Sequence, residues 1–173
     1  MPTKNQPKSE SQSLSWNFEP RKSVEQVEEG NDLAPKFNEN GTLPCITQHA
    51  DTGEILMFAY MNEEALRQTI DKQLAHYWSR SRQKLWLKGE TSGMYQHVQQ
   101  VLIDDDQDCV IIRVTLTPPS SGGNEASCHV GYRTCFYREV HLSENGPQLQ
   151  FIGGEKAFNP ETVYQGTENP TKL

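Results

Sequence analysis

Apolar residues occur in short runs separated by polar turn residues, and this pattern predicts a domain made mainly of strands. The first two runs, at 43–48 and 54–60, flank a turn at 50–53 and predict a hairpin. Runs of similar character predict further strands at 76–79, 84–88, 97–103, 110–116 and 136–140. We expect the strand at 136–140 to be the last strand of the core.

One segment clearly has the spacing of a helix. Asn62 can cap it, glutamates occupy its first turn, and apolar positions between 65 and 70 recur at helical intervals. We therefore expect a helix that ends near Lys72. A short helix over 23–29, capped by Ser23, is also compatible with the sequence. The predicted fold class is α+β, with short β-strands in a barrel-like sheet and one clear α-helix.

The polar residues are concentrated at the two ends of the chain, and this divides its 173 residues into three parts. Residues 1–34 are rich in Ser, Gln, Glu, Lys and Pro, and we expect disorder or loose packing because such a segment buries too little to offset its ordering entropy. Residues 35–140 form the predicted catalytic domain. Residues 141–173 are predicted to be an irregular extension.

Composition narrows the range of functions. A net charge of -7 argues against a general nucleic-acid binder, which would present a basic face to phosphates, but it leaves room for a small phosphorylated ligand. There is no apolar run long enough for a membrane span and no apolar signal segment near the N-terminus, so we expect a soluble cytoplasmic protein without membrane partners. Thiols stay reduced there, so the cysteines are expected to be metal ligands or small buried groups.

The segment 104–135 contains most of the residues that could hold a metal. If 104–108 is extended, the carboxylates of Asp104, Asp106 and Asp108 project to one side and that of Asp105 to the other. A divalent cation would relieve the repulsion between them, and oxygen ligands suit magnesium. The alternative is a solvated acidic turn, the usual state of a charge run.

The same segment holds ligands of a softer kind. Cys128, His129 and Cys135 offer two thiolates and an imidazole, which suit zinc. Six residues separate the two cysteines, which is not a usual zinc-finger spacing. The concentration of ligands, more than their spacing, favours a metal site.

A polar loop bounded by glycines at 89–93 is a candidate phosphate site. Glycine lets a backbone approach a ligand closely, and hydroxyls or nearby cations such as Arg80 and Arg82 can hold phosphate oxygens. The alternative is an ordinary connecting loop.

Several of these segments, taken in order, resemble the phosphoribosyl-AMP cyclohydrolase family across about residues 36–139. The resemblance rests on the blocks at 50–57, 59–62, 77–82, 85–86, 88–93, 128–129 and 133–136, together with Gly131. It implies an enzyme of L-histidine biosynthesis that opens the adenine ring of N1-(5-phosphoribosyl)-AMP by adding water at C6. It also implies an intertwined homodimer with zinc at its interface and magnesium nearby.

The resemblance also assigns ligands by position. In the family, the segment that matches 104–108 has the pattern Asp-Cys-Asp-x-Asp, whose aspartates bind magnesium and whose cysteine joins two later cysteines on zinc. Asp104, Asp106 and Asp108 match the magnesium positions, and Cys128 and Cys135 match the two later zinc positions. Here Asp105 stands in place of the cysteine in that pattern. Aspartate is a legitimate zinc ligand, although a harder one than thiolate. Cys109 lies about 13 Å further along an ideal strand and is expected to be a core residue, while His129 could complete the coordination.

The expected mechanism is attack by a zinc-activated water, with His129 moving the proton. The predicted substrate-binding residues are Arg80, Arg82, Trp86, Lys88, Glu90, Thr91, Ser92 and Gly93. Trp78 is an alternative stacking partner for the base, although an aromatic residue in a strand is more often part of the core. Two rival functions stay open: a divergent paralogue that hydrolyses another purine nucleotide, and a non-catalytic dimeric module that a metal merely stabilises.

Overall fold

A computed structural model describes residues 16–167 and Thr171. The eleven elements in this part of the chain are α1 (Val24–Glu28), β1 (Thr42–His49), β2 (Ile55–Asn62), α2 (Glu63–Lys72), β3 (His76–Ser79), β4 (Lys84–Leu87), β5 (Gln96–Ile103), β6 (Val110–Leu116), β7 (Arg138–Ser143), β8 (Gly146–Phe151) and α3 (Pro160–Val163). The α+β class is confirmed.

The centre of the molecule is an open four-stranded sheet in the order β2-β1-β6-β5. Strands β1 and β6 run parallel, with Ile46 opposite Ile111, and the other neighbours are antiparallel. The expectation of a barrel-like sheet is therefore corrected: β2 and β5 remain edges of this sheet, because β3 and β4 pair with each other in a separate two-stranded sheet.

The core lies on one face of this sheet, beneath α2. Alternate residues of β1 are buried, as expected for a strand with one covered face. Leu66 of α2 packs there with Leu43, Met61 and Ile112, all at most 1% exposed. At about 1.5–3 kcal/mol for each large apolar side chain removed from water, this cluster is the main source of stability.

The helix predictions hold closely. The Asn62 side chain accepts a hydrogen bond from the Ala65 amide at 2.9 Å, and α2 ends at Lys72, followed by Gln73 in the left-handed conformation. In α1, Ser23 caps the amide of Gln26 at 3.1 Å. No helix in residues 16–167 combines the length and apolar character that crossing a bilayer demands.

The prediction that 136–140 is a core strand was wrong. Strand β7 begins at Arg138 and pairs only with β8, and this hairpin stands on the surface, with Val140 75% and Leu142 78% exposed. Its sequence alternates as strongly as that of a core strand, but the four-stranded sheet is formed by other strands and leaves β7 no place in it. The hairpin also makes the first part of the extension at 141–173 regular.

The described part of the N-terminal extension packs on the domain surface. Val27 and Ala34 are buried, and the indole nitrogen of Trp16 donates to Asp71 at 2.6 Å. The amide side chain of Gln107 donates to the carbonyls of Val27 and Asp32 at 3.0 and 3.1 Å. Phe18 packs against the main core as well, so both polar and apolar contacts hold residues 16–34 on the domain, while residues 1–15 lie outside the described part. The three-part division of the chain remains a prediction.

Candidate metal centre and nucleotide site

The acidic segment is a turn between β5 and β6, and not the extended strand on which the alternation of carboxylates was predicted. Asp104 Oδ1 accepts hydrogen bonds from the amides of Asp108 and Cys109, both at 2.9 Å. Gln107 adopts a positive φ of 58°, which reverses the chain. The turn, and not strand alternation, selects which carboxylates meet.

The three predicted magnesium ligands do come together. One carboxylate oxygen each from Asp104, Asp106 and Asp108 lies within 4.8 Å of the others. These oxygen donors fit a hard divalent cation. The ammonium group of Lys36 already lies 3.3 Å from Asp106 and 3.5 Å from Asp108, so part of the charge is balanced by a residue that the sequence did not single out.

Buried hydrogen bonds hold the acidic turn against the N-terminal extension. Gln107 is 5% exposed, and its Oε1 accepts from the Ala34 amide at 2.8 Å. Its backbone carbonyl accepts from the Lys36 amide at 2.7 Å, which brings the lysine to the carboxylates. The extension therefore shapes the acidic site.

The second candidate site is built on a tight loop that contains both cysteines. The Ser127 amide donates to the Arg133 carbonyl at 2.8 Å, and the Gly131 amide donates to the Cys128 carbonyl at 3.1 Å. The loop then joins β2, where the Cys135 amide donates to the Leu56 carbonyl at 2.8 Å. This reversal brings Cys128 and Cys135 together despite six intervening residues.

The two thiols share a hydrogen bond next to a buried cation. The hydrogen bond with Cys135 lowers the pKa of Cys128, and the Lys88 ammonium also lowers it. The same hydrogen bond, together with burial, raises the pKa of Cys135. Lys88 is only 6% exposed, and burial lowers its pKa although the thiols oppose this effect. One thiolate beside an ammonium is the charge state that this geometry favours.

Two thiolates fit a soft cation such as zinc but supply only half of a tetrahedral set. Among the described residues, the aspartate triad is the only group of three metal-ligating side chains within reach of one another. The exposed Asp105 therefore does not join Cys128 and Cys135 within a single chain. His129 is half-buried, with its Nε2 atom shielded from solvent.

A buried chain of hydrogen bonds reaches from the sheet to the cysteine loop. The Tyr77 hydroxyl is 2.7 Å from Thr47 Oγ1 and donates to Gln96 Oε1 at 2.6 Å. The Gln96 amide nitrogen donates to Ser127 Oγ at 2.8 Å, one residue before Cys128. Because Thr47, Tyr77 and Gln96 are 0% exposed, the chain fixes the loop without help from solvent.

The predicted substrate residues on the β3–β4 hairpin differ in exposure. Arg80 is exposed and its guanidinium lies 3.8 Å from the centre of the Tyr60 ring, while Arg82 donates to Ser79 Oγ at 3.1 Å. Trp86 packs against the core, with its ring centre 5.0 Å from that of Tyr77, and Trp78 is also half-buried. The two exposed arginines are therefore more accessible to a ligand than the two half-buried tryptophans.

The loop at 89–93 is closely packed against neighbouring protein atoms, and its binding of phosphate stays a prediction. A Cβ atom at Gly89 would lie 2.5 Å from the Tyr95 amide nitrogen, and one at Gly93 would lie 1.9 Å from Ser120 Oγ. Both residues also have positive φ, of 95° and 78°. Glu90 and Thr91 are exposed, whereas Ser92 is buried and accepts from the Met94 amide at 3.2 Å.

Sequence reasoning missed a tyrosine near the cysteines. Tyr164, at the end of α3, shares a hydrogen bond with Ser92, and burial first and then the nearby Cys128 and Cys135 raise its pKa. No motif marks this residue in the sequence. Lys36 was missed as well, although its place next to the predicted domain start could have suggested a partner for the acidic turn.

Comparison with known proteins gives a consistent result. Residues 57–137 match the family model described as phosphoribosyl-AMP cyclohydrolase. A protein of that name from Caulobacter sp. (strain K31) is 53% identical over 133 residues, 77% of this chain and 93% of the relative. One from Methanococcoides burtonii is 49% identical over 129 residues, 75% of this chain and 94% of the relative. One from Rhizobium etli (strain CIAT 652) is 42% identical over 146 residues, 84% of this chain and 94% of the relative.

Proposed function

Because the chain belongs to the phosphoribosyl-AMP cyclohydrolase family, we propose that it opens the adenine ring of N1-(5-phosphoribosyl)-AMP by hydrolysis, as a step of L-histidine biosynthesis in the cytoplasm. The protein is then a hydrolase that acts on the C–N bond of a cyclic amidine. The observation that carries the proposal is the pair of thiols, Cys128 and Cys135, held in contact beside the buried Lys88.

Cys128 and Cys135 are proposed to hold zinc, with Asp105 as the third ligand. When bound, zinc supplies the Lewis acidity that makes water a nucleophile at about pH 7. The cysteine loop brings the two thiols into a shared hydrogen bond, and the Lys88 ammonium would compensate negative charge on the sulfur atoms. His129, adjacent to Cys128 in the chain, moves the proton between the attacking water and the ring.

The separation of Asp105 from the cysteines supports a homodimer. Since Asp105 does not group with the thiols of its own chain, the third ligand is proposed to come from a second copy, in an intertwined dimer. Two such sites would then form by the two-fold symmetry of one interface. This arrangement also accounts for the separation, within the described part of one protomer, of Asp105 from Cys128 and Cys135.

The remaining polar groups are assigned to the nucleotide. Magnesium on Asp104, Asp106 and Asp108 would neutralise phosphate charge near the ring, in the place where Lys36 now balances the carboxylates. Arg80 and Arg82 are exposed cations suited to the phosphates. The glycine loop, with Glu90, Thr91, Ser92 and Gly93, offers hydroxyls and amides to the ribose or phosphate, and Trp86 or Trp78 offers a face to the base.

The test is an absorbance assay of ring opening with purified protein and phosphoribosyl-AMP. Turnover that disappears with a chelator and returns on adding zinc and magnesium is the expected result. The same preparation is examined for mass in solution, where a dimer is expected. Folded, metal-loaded protein without turnover would contradict the proposal and favour a paralogue acting on another purine nucleotide, since Asp105 is the departure that distinguishes this site.

A further inference from the structure

The segment at 153–164 forms a strap that touches both loops of the candidate site. Its Ala157 amide donates to the Gly131 carbonyl at 2.7 Å, and its Ala157 carbonyl accepts from the Asn124 amide at 2.9 Å. The strap therefore lies along the cysteine loop. It also lies beyond residues 57–137, the part that matches the family model.

Apolar packing ties the strap to the loop at 89–93. Phe158 is 5% exposed and forms a small cluster with Met94 and Ala126, both 0% exposed. Met94 directly follows the glycine loop, and Ala126 precedes the cysteine loop by one residue. Phe158 thus packs between the roots of the two loops.

Gly131 shows how close this approach is. A Cβ atom at Gly131 would lie 2.8 Å from the Phe158 carbonyl oxygen, and Gly131 has a positive φ of 105°. The cysteine loop therefore has a glycine where the strap passes, and a larger residue would push the two segments apart.

Tyr164 completes the contact with the glycine loop. Its ring packs against the Phe158 cluster, with the two ring centres 6.3 Å apart. Its hydroxyl shares a hydrogen bond with Ser92, whose Oγ accepts from the Met94 amide and whose carbonyl accepts from the Ser120 amide at 3.0 Å. Ser92 is thus held from three sides, one of which is the strap.

We propose that the 153–164 strap couples the glycine loop to the cysteine loop, and that Tyr164 is a positioning residue that holds Ser92 in the conformation the nucleotide requires. This inference rests on the proposed function, because it takes the glycine loop to bind the substrate. Tyr164 acts through Ser92 and not on the reacting atoms. Its hydroxyl therefore affects substrate affinity more than the chemical step.

The experiment compares Tyr164→Phe with the wild type and with Tyr95→Phe as a matched control. Tyr95→Phe removes a phenol hydroxyl from a half-buried residue near the same loop, whose ring centre is 6.5 Å from that of His97. For Tyr164→Phe we expect a KM for phosphoribosyl-AMP raised about tenfold, with kcat changed less than about twofold, as befits the loss of one hydrogen bond. Zinc content should stay equal in all three proteins.

Two further readouts separate positioning from general stability. Hydrogen–deuterium exchange at 89–94 should increase in Tyr164→Phe and stay unchanged in the control. Ser92→Ala should raise KM at least as much, because it also removes the oxygen that accepts from the Met94 amide. In the Ser92→Ala background, Tyr164→Phe should add little, because the bond between the two residues is already lost. Unchanged exchange and unchanged KM in Tyr164→Phe would overturn the coupling. If the wild type itself shows no turnover, the proposed function fails, and the exchange data alone then decide the coupling.

Discussion

The buried hydrogen-bond chain makes the sharpest prediction about stability. Tyr77→Phe removes one oxygen atom and leaves the ring that packs against Trp86. That oxygen is the partner of both Thr47 Oγ1 and Gln96 Oε1, at 2.7 and 2.6 Å. The substitution therefore changes polar satisfaction inside the core with little change of shape.

The magnitude follows from burial. Thr47 and Gln96 are 0% exposed, so water cannot replace the lost partner without entering the core. Each buried polar group left unsatisfied costs about 1–3 kcal/mol, so the two groups together would cost about 2–6 kcal/mol. Because local adjustment recovers part of this cost, we expect the free energy of unfolding to fall by about 2–4 kcal/mol. The Gln96 amide nitrogen keeps its bond to Ser127, so the cysteine loop should still form.

The assay is urea denaturation at one fixed protein concentration, because association would make the midpoint concentration-dependent. A lower midpoint with an unchanged m-value is expected for Tyr77→Phe. Tyr95→Phe, outside the chain of bonds, should stay within about 0.5 kcal/mol of the wild type. In the Tyr77→Phe background, Thr47→Val should cost less than it does alone, since Thr47 has already lost this partner.

A loss below about 1 kcal/mol for Tyr77→Phe would refute the reasoning, since that is the lower end of the cost of one unsatisfied buried group. Strict additivity with Thr47→Val would refute it as well, because two groups that share a hydrogen bond must be coupled.

Other predictions concern the two metal sites. Cys128→Ser or Cys135→Ser should abolish both zinc content, measured by elemental analysis, and turnover, measured by the absorbance assay. A variant that keeps its turnover would contradict the zinc site. Lys36→Met should tighten magnesium binding severalfold in calorimetry, because it removes the ammonium group that competes for Asp106 and Asp108. The effect is limited to severalfold because an exposed ion pair contributes about 0–1 kcal/mol. In metal-free protein, the rate at which iodoacetamide modifies Cys128 should rise with pH through a midpoint below about 8.5, the ordinary pKa of a thiol, because the pKa of Cys128 is lowered. A midpoint above that value would contradict the hydrogen bond between the two thiols.

Local signals were sufficient where neighbouring residues decide the structure. The cap at Asn62, the end of α2 at Lys72 and the bounds of β3 and β6 agree with the sequence pattern, because these depend on contacts within a few residues. The three aspartates predicted to bind magnesium do lie together, although in a turn and not in the extended strand first assumed, and their binding of magnesium stays a prediction. The turn that brings them together depends on the left-handed backbone conformation of Gln107, and no simple sequence pattern predicts that conformation.

By itself the sequence determined the fold class, the main helix and the residue types able to hold metal, because propensity, capping and ligand chemistry are properties of local residues. Only the tertiary structure decided that β7 stands outside the sheet, that Lys88 is buried beside Cys128 and Cys135, and that Tyr164 reaches Ser92. These contacts join residues far apart in the chain. They form only when the whole core has packed, because that packing determines which surfaces of each segment face one another. The sequence of a single segment is not sufficient to predict them.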